Sequence, residues 1–154
     1  MALWFECKVR YDKMQDNGTI KKVNEPYLVD ALTFTEAEAR IIEEMKRFIS
    51  GEFEVSAVKK ERISELFIDP EGDKWYRAKV MFITLDEKTA KEKRSSVNYL
   101  VNAGTLNGAV RNIDEVMGGT MIDYVIASVA ETTLMDVFEY GKDKTADEKP
   151  EFEQ

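Results

Sequence analysis

Two stretches decide how this chain is read: Tyr27–Met45, YLVDALTFTEAEARIIEEM, and Tyr99–Met117, YLVNAGTLNGAVRNIDEVM. Laid over each other without gaps (99 − 27, an offset of 72), they share Tyr, Leu, Val, Ala, Thr, Ala, Ile, Glu and Met, nine identities in 19 positions. Chance supplies about one. The likeness extends outward in the same order. Upstream, WFECKVRY from Trp4 matches WYRAKVMF from Trp75 at Trp, Lys and Val. Downstream, Phe53, Val55, Val58, Ile63 and Phe67 fall on Tyr124, Ile126, Val129, Leu134 and Phe138. The bland alternative is two amphipathic units alike only in composition. Nine ungapped identities favour an internal duplication instead.

Each repeat reads as β-β-α-β. Phe5, Cys7, Val9 and Tyr11 alternate with Glu6, Lys8 and Arg10, the period of a half-buried strand. Asp16-Asn17-Gly18 marks a hairpin turn. A second strand runs from Thr19 to Ala31, and Pro26 inside it calls for an edge or a bulge, since proline cannot donate to a ladder. Thr35 opens a capping box with Glu38, and Ala37, Ile41, Met45 and Phe48 form one helical stripe that Ser50-Gly51 ends. A third strand follows through Phe53, Val55 and Ala57 and continues over Ile63–Ile68. The second repeat predicts strands at 75–84 and 94–103, a shorter helix at 108–117 capped by Asn107, and a last strand over 123–138.

The expected fold is α+β: one antiparallel-rich six-stranded sheet with two helices on one face. A crossover places strand 3 parallel to strand 2. Strand 3 of the first unit is expected to pair with strand 1 of the second, and the final strand with strand 1 of the first. Residues 1–140 then make a single pseudo-twofold domain (units 3–68 and 74–139). The remainder, 141–154, is an acidic tail without apolar period, expected to be disordered.

Composition narrows the function. The chain has 154 residues and a net charge of −8, which argues against nonspecific affinity for polyanions unless charge is segregated. It contains no histidine, which removes every His-based triad, general base and zinc motif, and its one cysteine cannot form an internal disulfide. No apolar run approaches a membrane span, and the N-terminus lacks the pattern of a signal peptide, so a cytoplasmic protein is expected.

The opening WFECKVRYDK, the stretch KKVNEPYLVDALTFTEAEARIIEEM, FISGEF, RAKVMFITLDEK and the closing ETTLMDVF together resemble an uncharacterised family, a domain of unknown function in proteins of similar length from gut Bacteroidales and their phages. The resemblance reaches to Phe138. It implies a bacterial or mobile-element origin and carries no site residue to transfer.

The remaining candidates come from the residues themselves. If Phe5, Cys7 and Val9 face the helices, then Trp4, Lys8 and Arg10 face away, and so do Trp75, Arg77 and Lys79, with Lys60 and Arg62 joining from the third strand. Aromatic rings and cations on a sheet face are the combination that binds single-stranded nucleic acid. The competing reading packs the tryptophans into a core or a homodimer seam and leaves the charges as a solvated face. Asp69, Glu71 and Asp73 lack the spacing of a calcium loop and read as a turn. Gly118-Gly119 follows a helix and therefore caps it; it does not cradle phosphate. Cys7 reads as an inert small hydrophobe. The expectation is thus a non-enzymatic accessory protein with no cofactor and no metal. Its partner is single-stranded nucleic acid on the outer sheet face, or alternatively another protein, a homodimer mate or a sequestered small ligand.

Overall fold

The computed structural model describes residues 3–141. The order of elements is β1 (Leu3–Met14), β2 (Ile20–Ala31), α1 (Phe34–Met45), β3 (Phe53–Glu61), β4 (Glu65–Phe67), β5 (Lys74–Leu85), β6 (Glu92–Ala103), α2 (Leu106–Met117), β7 (Asp123–Glu131) and β8 (Val137–Phe138). The fold is α+β, but its strands form two four-stranded sheets, β3-β1-β2-β8 and β4-β6-β5-β7, and not one sheet of six. Among the described residues, 3–62 together with 134–141 make one compact unit, and Ile63–Thr133 the other. The acidic tail lies outside the described residues except for Gly141.

The expected pairing is corrected with the sheet. β3 lies antiparallel on β1 of its own unit, Phe53 opposite Tyr11, and β7 lies on β5 in the same way, Tyr124 opposite Phe82. Both outer partners of a central strand run antiparallel to it, so β3 does point the same way as β2, as a crossover requires. Periodicity fixes which residues are strand and which face is buried. It does not name a neighbour. The predicted continuations of strand 3 are separate strands. β4 leaves its predecessor to pair parallel with β6, Phe67 beside Val101, and β8 pairs parallel with β2, Phe138 beside Val29.

In the first unit Phe5, Cys7, Val9, Val29 and Ala31 pack against Ala37, Ile41 and Met45 of α1. In the second, Tyr76, Ala78, Val80, Val101 and Ala103 pack against Ala109, Ile113 and Met117 of α2. The residues identical between the two stretches include the core positions Val29, Ala31, Ala37, Ile41 and Met45, matched by Val101, Ala103, Ala109, Ile113 and Met117, and the helix caps Thr33 and Thr105. Thr33 accepts from Glu36 N and Thr105 from Gly108 N, so the caps lie two residues before the expected Thr35 and Asn107. The Glu36 carboxylate accepts from Leu32 N at 2.7 Å, one residue before the cap, so it ties down the chain entering the helix. α1 ends at Met45, which leaves Phe48 beyond the helix and exposed, off the stripe it was assigned to.

Two local expectations have a clear outcome. Gly18 takes φ 85° in the first hairpin, and Asn17 Oδ1 accepts from Thr19 N at 3.0 Å. Pro26 sits where the sheet loses nothing by it. Its carbonyl and the amide of Leu28 face the 135–136 segment, so its absent N–H also points away from the β1 ladder, one step before β8 begins. Beyond β8 the chain is pinned. Asp30 accepts from Tyr140 N at 2.7 Å and Gly141 N at 2.9 Å, Arg40 lies 4.7 Å over the Tyr140 ring, and the Tyr140 hydroxyl bonds Glu44.

Candidate nucleic-acid interface

Side chains alternate across each strand, so the register assigns every candidate to a face. Trp4, Lys8 and Arg10 lie on the side of the first sheet away from α1, and Trp75, Arg77 and Lys79 on the side of the second away from α2. Three residues stand on each sheet, with unequal exposure. Lys8, Arg10 and Lys79 are exposed, and Trp75 and Arg77 are half-buried. Trp4, set opposite Asp30, is only 8% exposed. Its ring offers no face to a base, which corrects the expectation of an exposed indole there.

A bulge also moves two cations. The register between β1 and β3 slips between Lys8 and Val9, so one extra residue of β3 inverts the alternation that follows. Lys60 therefore aligns with Phe5 on the helix side, and Lys59 takes its place on the outer face beside Glu6. Arg62 lies past the end of β3. The same slip recurs between Lys79 and Val80 against β7.

The two outer faces differ in electrostatics. On the first sheet, cations and acids interleave: Arg10 Nη1 stands 3.1 Å from Glu54 and Lys59 Nζ 3.6 Å from Glu61, while Asp12 faces Lys22. On the second, Arg77 and Lys79 are flanked by Leu100 and Asn98 on one side and Ala130 and Ser128 on the other. From Trp75 to Met81 the outer positions of β5 and their ladder partners on β6 and β7 hold no carboxylate; further along the ladder Asp123 lies opposite Ile83 and Glu92 opposite Leu85.

Polar networks that the alternation pattern does not reveal hold the helix sides. Glu25 is buried and accepts from Tyr11 at 2.7 Å and Lys13 at 3.1 Å. Burial, and then the bond to Glu25, push the Tyr11 hydroxyl well above its ordinary pKa. Asn112 donates to Asp69 and to the Asn102 carbonyl, both at 3.0 Å. The Glu71 amide and then Asn112 hold the Asp69 carboxyl below its usual range. Asp69 thus serves as a turn acceptor. Cys7 is buried, and desolvation followed by the charges of Glu38 and Glu6 pushes its thiol up to about 12. A cleft of about 540 Å3 beside Arg10 is lined by Asp12, Lys22, Glu52, Phe53 and Glu54. Among the described residues no group of three or more Cys, Asp or Glu is placed to hold a metal ion, and no helix is long and apolar enough to cross a membrane.

A family model described as a domain of unknown function (DUF4494) matches residues 3–140. No curated protein matches the chain.

Proposed function

Since the chain belongs to the family described as a domain of unknown function (DUF4494), which assigns it no activity, we propose from its geometry that it is a non-enzymatic accessory protein binding single-stranded nucleic acid on the outer sheet faces. The observation that carries this reading is the outer face of the second sheet, where exposed Lys79 stands between Asn98 and Ser128, on the same side as Ser96 and the half-buried ring of Trp75. Cations there meet phosphates, small polar side chains bond base edges, and an open antiparallel face lets a strand lie along it. Lys8 and Arg10 form the weaker counterpart on the first sheet. The matched stretches and the shared β-β-α-β order support a duplication as the origin of both faces. The reading includes a cytoplasmic working place and the bacterial or phage origin that the resemblance implies.

Titration of labelled oligonucleotides tests it. Affinity should fall steeply with salt, and Lys79→Ala should reduce the slope of log K against log salt by about 1. Absence of binding at about 50 mM salt would overturn the reading. A protein-interaction module is the second reading. It is favoured by Trp4, whose ring is buried and not offered to a ligand.

A further inference from the structure

The segment that carries β8 and the segment that carries β4 are seated by the same set of contacts. Met135 N donates to the Pro26 carbonyl at 2.8 Å, and Ser64 N to the Asn98 carbonyl at 2.8 Å. Val137 and Phe138 lie parallel beside Leu28 and Val29, and Leu66 and Phe67 beside Leu100 and Val101. Phe138 stacks on Tyr27 with centroids 6.0 Å apart, and Phe67 meets Tyr99 at 4.8 Å. Two residues further on, Tyr140 N donates to Asp30 Oδ1 at 2.7 Å, and Asp69 N to Asn102 Oδ1 at 3.3 Å. The seated positions correspond at a constant spacing of 71 (135 − 64), and the positions that receive them at 72 (98 − 26). The tethers differ. β4 is followed at once by β5, whereas among the described residues no strand comes after β8, and only residues 132–136 join it to β7. Backbone bonds fix Thr132 to Trp75 and Met135 to Pro26, and the boundary between the two compact units falls between them, at Thr133 and Leu134.

We propose that β8 is an exchangeable strand: residues 135–141 of one copy seat on the β2 edge of a second copy, whose own segment returns the contact, and the pair forms a closed homodimer. The occupant is a second copy of this chain because the edge is already shaped to that segment. It takes the backbone pairing of Val137 and Phe138, the Phe138 ring on Tyr27, and the Tyr140 and Gly141 amides on the buried carboxylate of Asp30, with Arg40 over the Tyr140 ring. A second copy offers the identical edge and the identical segment, so reciprocal exchange makes two equal sites and closes on itself. Each copy keeps every one of these contacts, and only the path through Thr133 and Leu134 changes. A strand held by two paired residues opens locally at low cost compared with unfolding its unit. Concentration then sets the balance. A short tether presents its strand at an effective concentration on the order of 1 mM, so protein at about that concentration competes with it. The inference makes no use of the nucleic-acid reading.

The test unfolds the full chain in urea and refolds it at about 10 μM and at about 1 mM, with the mass read by size-exclusion chromatography and light scattering. The expected result is monomer at the lower concentration and about half dimer at the higher. Refolding isotope-labelled with unlabelled chains at the higher concentration then shows whose strand is seated. Isotope-filtered NOEs should join Phe138 of labelled chains to Tyr27 of unlabelled ones. Phe138→Ala, which removes the stacked ring, should stay monomeric at both concentrations with far-UV circular dichroism close to the parent. Monomer alone at both concentrations for the parent overturns the inference. A dimer in which every Tyr27–Phe138 contact lies within one chain overturns it too, since its interface is then elsewhere. So does a Phe138→Ala chain that dimerises as the parent does.

Discussion

Cys7 shows what a single position contributes. Its thiol is sealed between sheet and helix, and its pKa moves from an ordinary 9.0 up to about 12. The folded state therefore keeps a proton that the unfolded chain gives up, and the stability held below pH 9 drains away as pH rises toward 12. Between pH 8 and pH 10 the parent should lose about 1.4 kcal/mol more than Cys7→Ala, read from urea unfolding at both values. Equal losses would show that the thiol reaches solvent in the native state. The inward place of Cys7 was legible from alternation alone, as were Phe5 and Val9. The burial of Trp4 was not. Alternation assigns a side chain to a face and says nothing of what covers that face.

At the level of elements, the β-β-α-β order, the first hairpin turn and the buried faces of both helices follow from local pattern. The caps were misplaced by two residues because Thr33 and Thr35 are equally good acceptors by type, and only the path of the chain chooses between them. The bulges left no mark in composition, yet one of them moves Lys60 across the sheet. Gly72 is a further case. A Cβ there would meet Ala103 N at 2.6 Å and its Cα at 2.9 Å, backbone atoms that cannot swing aside. Gly72→Ala should cost about 1–3 kcal/mol in urea unfolding, as other overpacked sites do. Gly51→Ala, with open space around it, should cost far less. Similar losses at both positions would mean that the turn before β5 yields.

For the molecule as a whole, the two-residue strand β8 carries more than its length implies. Phe138 stacks on Tyr27 with ring centroids 6.0 Å apart, and the amides of Tyr140 and Gly141 donate to Asp30. A chain ending at Asp136 should be about 3–5 kcal/mol less stable than one ending at Gly141, from the half-buried rings of Phe138 and Tyr140 and two amide bonds to a buried carboxylate. Equal unfolding midpoints for the two truncations would show that β8 adds nothing to its sheet. The exchange of β4 and β8 was beyond sequence reading because a strand of two or three residues has too few positions to show a period. That exchange also has a consequence for synthesis. The first unit is the first to leave the ribosome, yet its β2 edge stays open until residues 137–138 emerge, so throughout translation it presents unpaired amides beside Leu28 and Val29. The nascent chain thus passes through a long interval in which an edge is open to the wrong neighbour, and a holding chaperone, or fast translation of the second half, has its greatest effect there.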